Sequence, residues 1–203
     1  MIFKNSELFA NELDQNDPLK SYRDQFYYPK DKNGEEVLYL CGNSLGLQSK
    51  SVRSFVEKEL NVWEKDGALG QYGRWEKFHE KLMANSARLV GAIPSEVVVM
   101  NALTVNINLL LISFYQPTKN RHKIIIEKGA FPSDQYAVES HLHLHGFDPK
   151  DSLIELTPRT GETTLRTDDI VNTINDVGEE LATIIMGGVN YYTGQAFDMK
   201  SIT

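Results

Sequence analysis

From Val97 onward, short β-branched runs alternate with segments of helical periodicity, and this alternation restricts the fold more than any other feature. "EVVVM" reads as a strand and "LTVNINLLLISF" as a helix. "KIIIE" is a strand and "SDQYAVESHLHLH" a helix closed by Gly146; "SLIEL" is a strand, "TDDIVNTINDV" a helix with an acidic first turn, and "ATIIMGG" a strand. Strands joined by helical crossovers predict an α/β fold, with a parallel-rich central sheet carrying helices on both faces. A chain of 203 residues suits one such domain, or one domain and an appendage.

The part before Val97 is organised differently. Residues Glu7 to Asp14 have the pattern of a short helix. "LYLCGNSLG", Leu38 to Gly46, reads as a short strand entering a glycine-punctuated loop. Val52, Phe55, Val56, Leu60 and Trp63 recur at helical spacing, with Gly67 as the stop. Phe78, Leu82, Met83, Leu89 and Val90 mark another amphipathic helix ending before Gly91 and Pro94. A division into residues 1–66, an N-terminal segment, and 67–203, the sheet-bearing part, is expected.

Charge narrows the partners. Asp plus Glu is 28 against 21 for Lys plus Arg, a net charge of −7. That sign, with no basic block interleaved with aromatics, argues against nucleic acid and anionic membranes. No apolar run is long enough to span a bilayer, and the acidic start "MIFKNSELFANELDQND" lacks a signal-peptide core. A single cysteine, Cys41, precludes an internal disulfide and fits a reducing compartment, so a cytoplasmic location is expected. Cys41 is expected to be a small buried residue.

Ligands of open α/β sheets bind at the carboxyl ends of the strands. Asn101-Ala102-Leu103-Thr104 lies at one such end. Thr104 there is either an ordinary helix N-cap or, with free backbone N–H groups and the helix dipole, part of a phosphate site. Gly129-Ala130-Phe131-Pro132-Ser133-Asp134 is another, with Ser133 as a candidate N-cap. Its Phe131 is either a core residue or a ring that stacks on a planar ligand. Gly187 and Gly188 open a further loop, "GGVNYYTG", which either permits close backbone approach or is a plain connection. His141, His143 and His145 resemble a metal cluster, but on a helix only His141 and His145 share a face; the structural reading is preferred and no metal site is expected. Neither a P-loop nor a dinucleotide fingerprint is present.

Taken together, "LYLCGNSLGLQ", "MNALTVN", "FPSDQYAVESHLHLHG", "PRTGETTLRTDDI" and "GGVNYYTGQ" resemble, in order and spacing, the kynureninases, pyridoxal 5'-phosphate (PLP) enzymes of fold type I. The resemblance runs from about Leu38 to the last residue. It implies part of a fold-type-I PLP-binding large domain and hydrolysis of L-kynurenine or 3-hydroxykynurenine to anthranilate or 3-hydroxyanthranilate and L-alanine. It implies a role in tryptophan catabolism and NAD biosynthesis, and a homodimer for the full-length protein. It assigns the PLP phosphate to Leu103 and Thr104 and the stacking ring to Phe131. Pro132, Ser133 and Asp134 lie beside the cofactor, Gly187 stands where relatives often carry Ser or Thr near the phosphate, and Ser44 lies at the substrate end. The lysine that holds PLP in this family falls beyond Thr203, as does the Asp-x-x-His stretch. No residue of the chain is therefore assigned as catalytic, and the chain reads as an N-terminal half expected to be inactive alone. The alternatives are another fold-type-I lyase or aminotransferase, and a half-domain that binds a phosphate ligand or partner without chemistry.

Overall fold

The computed structural model describes residues 2–203. The chain forms two compact units, one ending at Pro94 and the other spanning Ser95–Thr203.

The first unit is helical. Helix α1 spans Glu7–Asn16, capped by Ser6, whose hydroxyl accepts from the Phe9 N–H. Helix α2 spans Val52–Asp66 and stops at Gly67, at φ +53. Helix α3 spans Glu80–Val90 and ends on Gly91 in the left-handed conformation. Phe78, expected inside α3, lies in the turn before it. Leu38–Gly46, expected to begin as a strand, forms no ladder and turns at Cys41–Leu45, where the Ser44 and Leu45 N–H groups donate to Cys41 O. Cys41 is exposed rather than buried, because no sheet underlies this loop. Gly70 and Ala87 are the buried residues described in this unit.

The second unit holds the sheet. Helix α4 (Leu103–Phe114) precedes strand β1 (Lys123–Glu127). Helix α5 (Pro132–Leu144) and the short α6 (Pro149–Ser152) lead to β2 (Leu153–Leu156). Helix α7 (Thr167–Val177) leads to β3 (Leu181–Ile185), and α8 is Met199–Ile202. The order is β2-β1-β3, all parallel, with Ile125 opposite Ile154 on one side and Ile184 on the other. The α/β expectation holds. Val97–Met100, expected as a strand, pairs with nothing among the described residues. A β-branched run favours extended backbone, but a strand also needs a neighbour's donors and acceptors.

β1 is the centre. Its alternation sends Ile124 and Ile126 into a core with Leu111, Tyr115, Val138 and Leu142 from α4 and α5. Ile125 enters the opposite core with Leu156, Leu165, Ile170 and Ile202. Helices therefore cover both faces, which is why three successive isoleucines suit this strand.

Candidate functional site

The carboxyl edge of the sheet is built by the ends of β1 and β3 and by two helix starts. Asn108 Oδ1 meets His141 Nε2 at 3.1 Å, and further on Tyr115 meets the His145 ring edge-on. Helices α4 and α5 thus run in the same direction, and their N-termini lie at the same end of the pair. α5 begins directly after the Glu127–Phe131 exit of β1, so that end is the carboxyl edge.

At the start of α4 the N-cap is Ala102, without a side-chain cap. Thr104 is the second helical residue, not the cap, and it is exposed. Its carbonyl accepts from Asn108 Nδ2 at 2.8 Å, and no hydrogen bond of its hydroxyl is found among the described residues. The first intrahelical bond is Asn106 N to Ala102 O at 3.1 Å. The N–H groups of Leu103, Thr104 and Val105 precede it and lack helical acceptors. Asn106 Nδ2 closes the turn onto Asn101 O at 3.1 Å. The polar residues between two apolar segments therefore serve the turn itself, while the threonine hydroxyl is left for something else.

At α5, Phe131 is the N-cap position and Pro132 the first helical residue, where a missing N–H costs nothing. Ser133, expected as the cap, sits inside the helix and donates to Asp134 Oδ1 at 3.2 Å; the cap position passed to Phe131 because Pro132 already has helical φ. The Phe131 ring is about half exposed, so it is not a core residue. It meets Tyr191 edge-on, with centroids 5.4 Å apart and planes at 80°.

Tyr191 belongs to the loop after β3. Gly187 and Gly188 lead into a hairpin in which Val189 bridges Ala196 and Gly194 has φ +72. Gly187 has no positive φ, and a Cβ there would come 3.1 Å from Val189 O, so a side chain would need that carbonyl to shift by a few tenths of an ångström. The hairpin is tied down by Gln195, which donates to Leu165 O and accepts from Leu165 N at 2.8 Å. The hairpin shares in a cavity of about 450 Å³ lined by Glu127, Thr163, Leu165, Asn190, Tyr192 and Gln195, among others. The arginines of the "PRTGETTLRTDDI" motif are paired: Arg159 with Asp169 at 2.6 Å, and Arg166 with Glu162.

The second unit thus gathers Leu103, Thr104, Phe131, Pro132, Ser133, Asp134 and Gly187 along one edge. Ser44 belongs to the first unit, exposed in the Cys41–Leu45 turn. His141 is buried, and burial together with nearby His145 holds its pKa below the ordinary histidine value. Its bond to Asn108 explains it as a helix-pairing residue. Among the described residues, no group of three or more His, Cys, Asp or Glu is placed to hold a metal ion. No described helix is long and apolar enough to cross a membrane. Sequence reasoning did not single out Glu127, a carboxylate at the end of an isoleucine strand, or the roles of Asn190 and Tyr191.

The residues fit a phosphorylated planar ligand. An N-terminus with an uncommitted hydroxyl suits a phosphate, and a half-exposed ring on the same edge suits stacking. No family model matches the chain. The kynureninase of Myxococcus xanthus (strain DK1622) is 51% identical over 205 residues, covering 100% of this chain and 48% of that protein. The kynureninase of Koribacter versatilis (strain Ellin345) is 52% identical, covering 99% of this chain and 48% of that protein. That of Nematostella vectensis is 43% identical, covering 98% and 46%. Along its whole length the chain is homologous to the kynureninases, and it spans about half the length of the curated relatives it matches.

Proposed function

We propose that this chain supplies the phosphate turn and the stacking ring of a PLP-dependent kynureninase. The single observation that carries the reading is the Thr104 hydroxyl, uncommitted beside free helix N–H groups, on the same sheet edge as the half-exposed Phe131 ring. Homology to kynureninases supports the identity of the cofactor and reaction. The proposed overall reaction is hydrolysis of the Cβ–Cγ bond of L-kynurenine, or its 3-hydroxy form, to anthranilate, or 3-hydroxyanthranilate, and L-alanine. It belongs to tryptophan catabolism and NAD biosynthesis, in a cytoplasmic homodimer. In this reading residues 1–66 bring the substrate-side loop and 67–203 part of the cofactor domain.

In its bound state PLP supplies an electron sink for cleavage next to the amino acid's Cα. The chain's own residues bind and orient. Leu103 and Thr104 backbone N–H groups and the Thr104 hydroxyl would donate to phosphate oxygens, aided by the helix dipole. Phe131 would offer its ring to one face of the pyridine, and Pro132, Ser133 and Asp134 would lie beside it. Gly187 lets the backbone approach, at the cost of a hydroxyl donor. Ser44 contributes at the substrate end. No lysine of the chain falls at the position the kynureninase pattern gives to the cofactor-bearing residue. PLP bound to these residues alone is therefore held reversibly and without turnover.

The test is a PLP absorbance titration of the chain followed by dialysis. Expected is reversible binding that Thr104→Ala weakens by about 1.5–3 kcal/mol, one charge-assisted hydrogen bond. Equal affinity in the variant would reduce Thr104 to a helix residue with no ligand. Turnover of kynurenine to fluorescent anthranilate by this chain would contradict the assignment of a purely binding role.

A further inference from the structure

Glu127 ends the central strand with a carboxylate only 7% exposed. No salt bridge among the described residues includes it. A carboxylate taken from water is costly unless its acceptors are used. Here Oε2 accepts from Asn190 Nδ2 at 2.7 Å, across 63 residues of sequence.

That bond fixes which way the Asn190 amide faces. With Nδ2 on Glu127, Oδ1 is turned to the hairpin. There it accepts from Tyr192 N at 2.9 Å, Thr193 N at 2.8 Å and Thr193 Oγ1 at 3.1 Å. The backbone of Asn190 is committed too, donating to Gln195 O and accepting from Gly194 N. Tyr191 stands in sequence between Asn190 and these anchored amides, and its half-exposed ring is edge-on to Phe131. Gly187 packs beside this pair: a Cβ there would come within ordinary contact of Glu127 Oε1, at 3.7 Å.

We propose that Glu127 is a positioning residue of the candidate cofactor site: its carboxylate orients the Asn190 amide, the amide holds the Tyr191–Thr193 turn, and the turn seats Tyr191 against Phe131. The proposal rests on the reading of Phe131 as the stacking ring. Its consequence is preorganisation. A ring held at its edge loses less freedom when a planar ligand covers its face, so binding costs less. Glu127 does this through Asn190, and an acceptor is what the geometry requires rather than a negative charge. Glutamine, whose carbonyl also accepts, can therefore replace it.

The experiment compares the unaltered chain with Glu127→Ala, Glu127→Gln and Asn190→Asp. Asn190→Asp keeps an acceptor for the turn but replaces the donor to Glu127 with a second carboxylate. The cofactor-free measurements are ring-to-ring nuclear Overhauser effects between Phe131 and Tyr191 and amide exchange at Tyr192 and Thr193. Expected is loss of the ring contact and about tenfold faster exchange in Glu127→Ala and Asn190→Asp, the loss of one hydrogen bond, with both restored in Glu127→Gln. A retained ring contact in both Glu127→Ala and Asn190→Asp overturns the proposal. Glu127→Gln behaving as Glu127→Ala overturns it as well, since charge or packing would then be the cause. PLP titration adds the second arm, with about five- to tenfold weaker binding expected in Glu127→Ala. PLP binding unchanged while the ring contact is lost overturns the positioning role. If PLP fails to bind the unaltered chain, the cofactor reading falls, while the ring contact still decides what Glu127 positions.

Discussion

The two units of this chain put similar apolar side chains to different use. In α2, Phe55, Val56, Leu60 and Trp63 recur at helical spacing, yet all stand more than half exposed. In β1, Ile124, Ile125 and Ile126 are consecutive, and none is more than 1% exposed. The difference is what lies opposite. A helix satisfies its backbone within itself and can form without a partner for its apolar stripe. A strand exists only beside other strands, so forming β1 brings β2, β3 and the covering helices with it. The first unit's described side-chain interactions are mostly local or polar, such as Glu59 accepting from Arg74 and from Trp75 Nε1 at 2.9 Å. The second unit adds long-range apolar packing on both faces of its sheet to polar ties such as that of Asn190 to Glu127.

The sharpest test of this contrast is Ile125→Ala, which leaves a cavity in the core between the sheet and α7. It should destabilise the second unit by about 2–5 kcal/mol. Both tryptophans, Trp63 and Trp75, lie in the first unit, so tryptophan fluorescence reports that unit alone. In urea, the far-ultraviolet dichroism transition should move in this variant while the fluorescence transition stays in place. Coincident shifts of both would show one cooperative unit instead of two.

Acid should separate the units next. His141 has its pKa lowered by burial, so the unfolded chain binds its proton first. The stability it contributes is full above the ordinary histidine value of 6.5 and is lost as pH falls below it. Glu59 has its pKa lowered by the Arg74 hydrogen bond and then by Trp75. Its contribution is full above the ordinary value of 4.5 and is lost as pH falls through the lower folded value. The second unit should therefore weaken at a higher pH than the first. A dichroism melt at stepped pH with parallel tryptophan fluorescence reads both, and the opposite order would contradict the burial of His141.

The smallest expected effect is Phe55→Ala. A residue two-thirds exposed should change stability by no more than about 0.5 kcal/mol. A loss above about 2 kcal/mol in the same urea titration would mean that this face is covered in solution.

The carboxyl-edge site divides along similar lines. Thr104 and Phe131 could be picked out because each stands at a strand-to-helix junction, and junctions are visible as changes of period. Their alternatives could not be resolved in one dimension. The N-cap reading of Thr104 fails because Ala102 takes the cap, and the core reading of Phe131 fails because its ring is half exposed. Glu127 carried no signal, because a charged residue ending a strand looks like the start of a loop. Its significance comes from Asn190, which approaches only after α5, β2, α7 and β3 have been laid down.

By itself the sequence determined the local states: which segments are helical, where glycines stop them, that "KIIIE" and its counterparts make a parallel sheet, and that kynureninase motifs run along the chain. Periodicity, capping and turn chemistry act over a few residues, so they are written in the order of the letters. Only the tertiary structure decided that "EVVVM" and "LYLCG" stay unpaired, that Cys41 is exposed, and that Glu127 reaches Asn190. Each of these depends on whether a partner distant in sequence arrives at hydrogen-bonding or van der Waals range. Pairing and burial are properties of two segments at once, and no single segment encodes its neighbour.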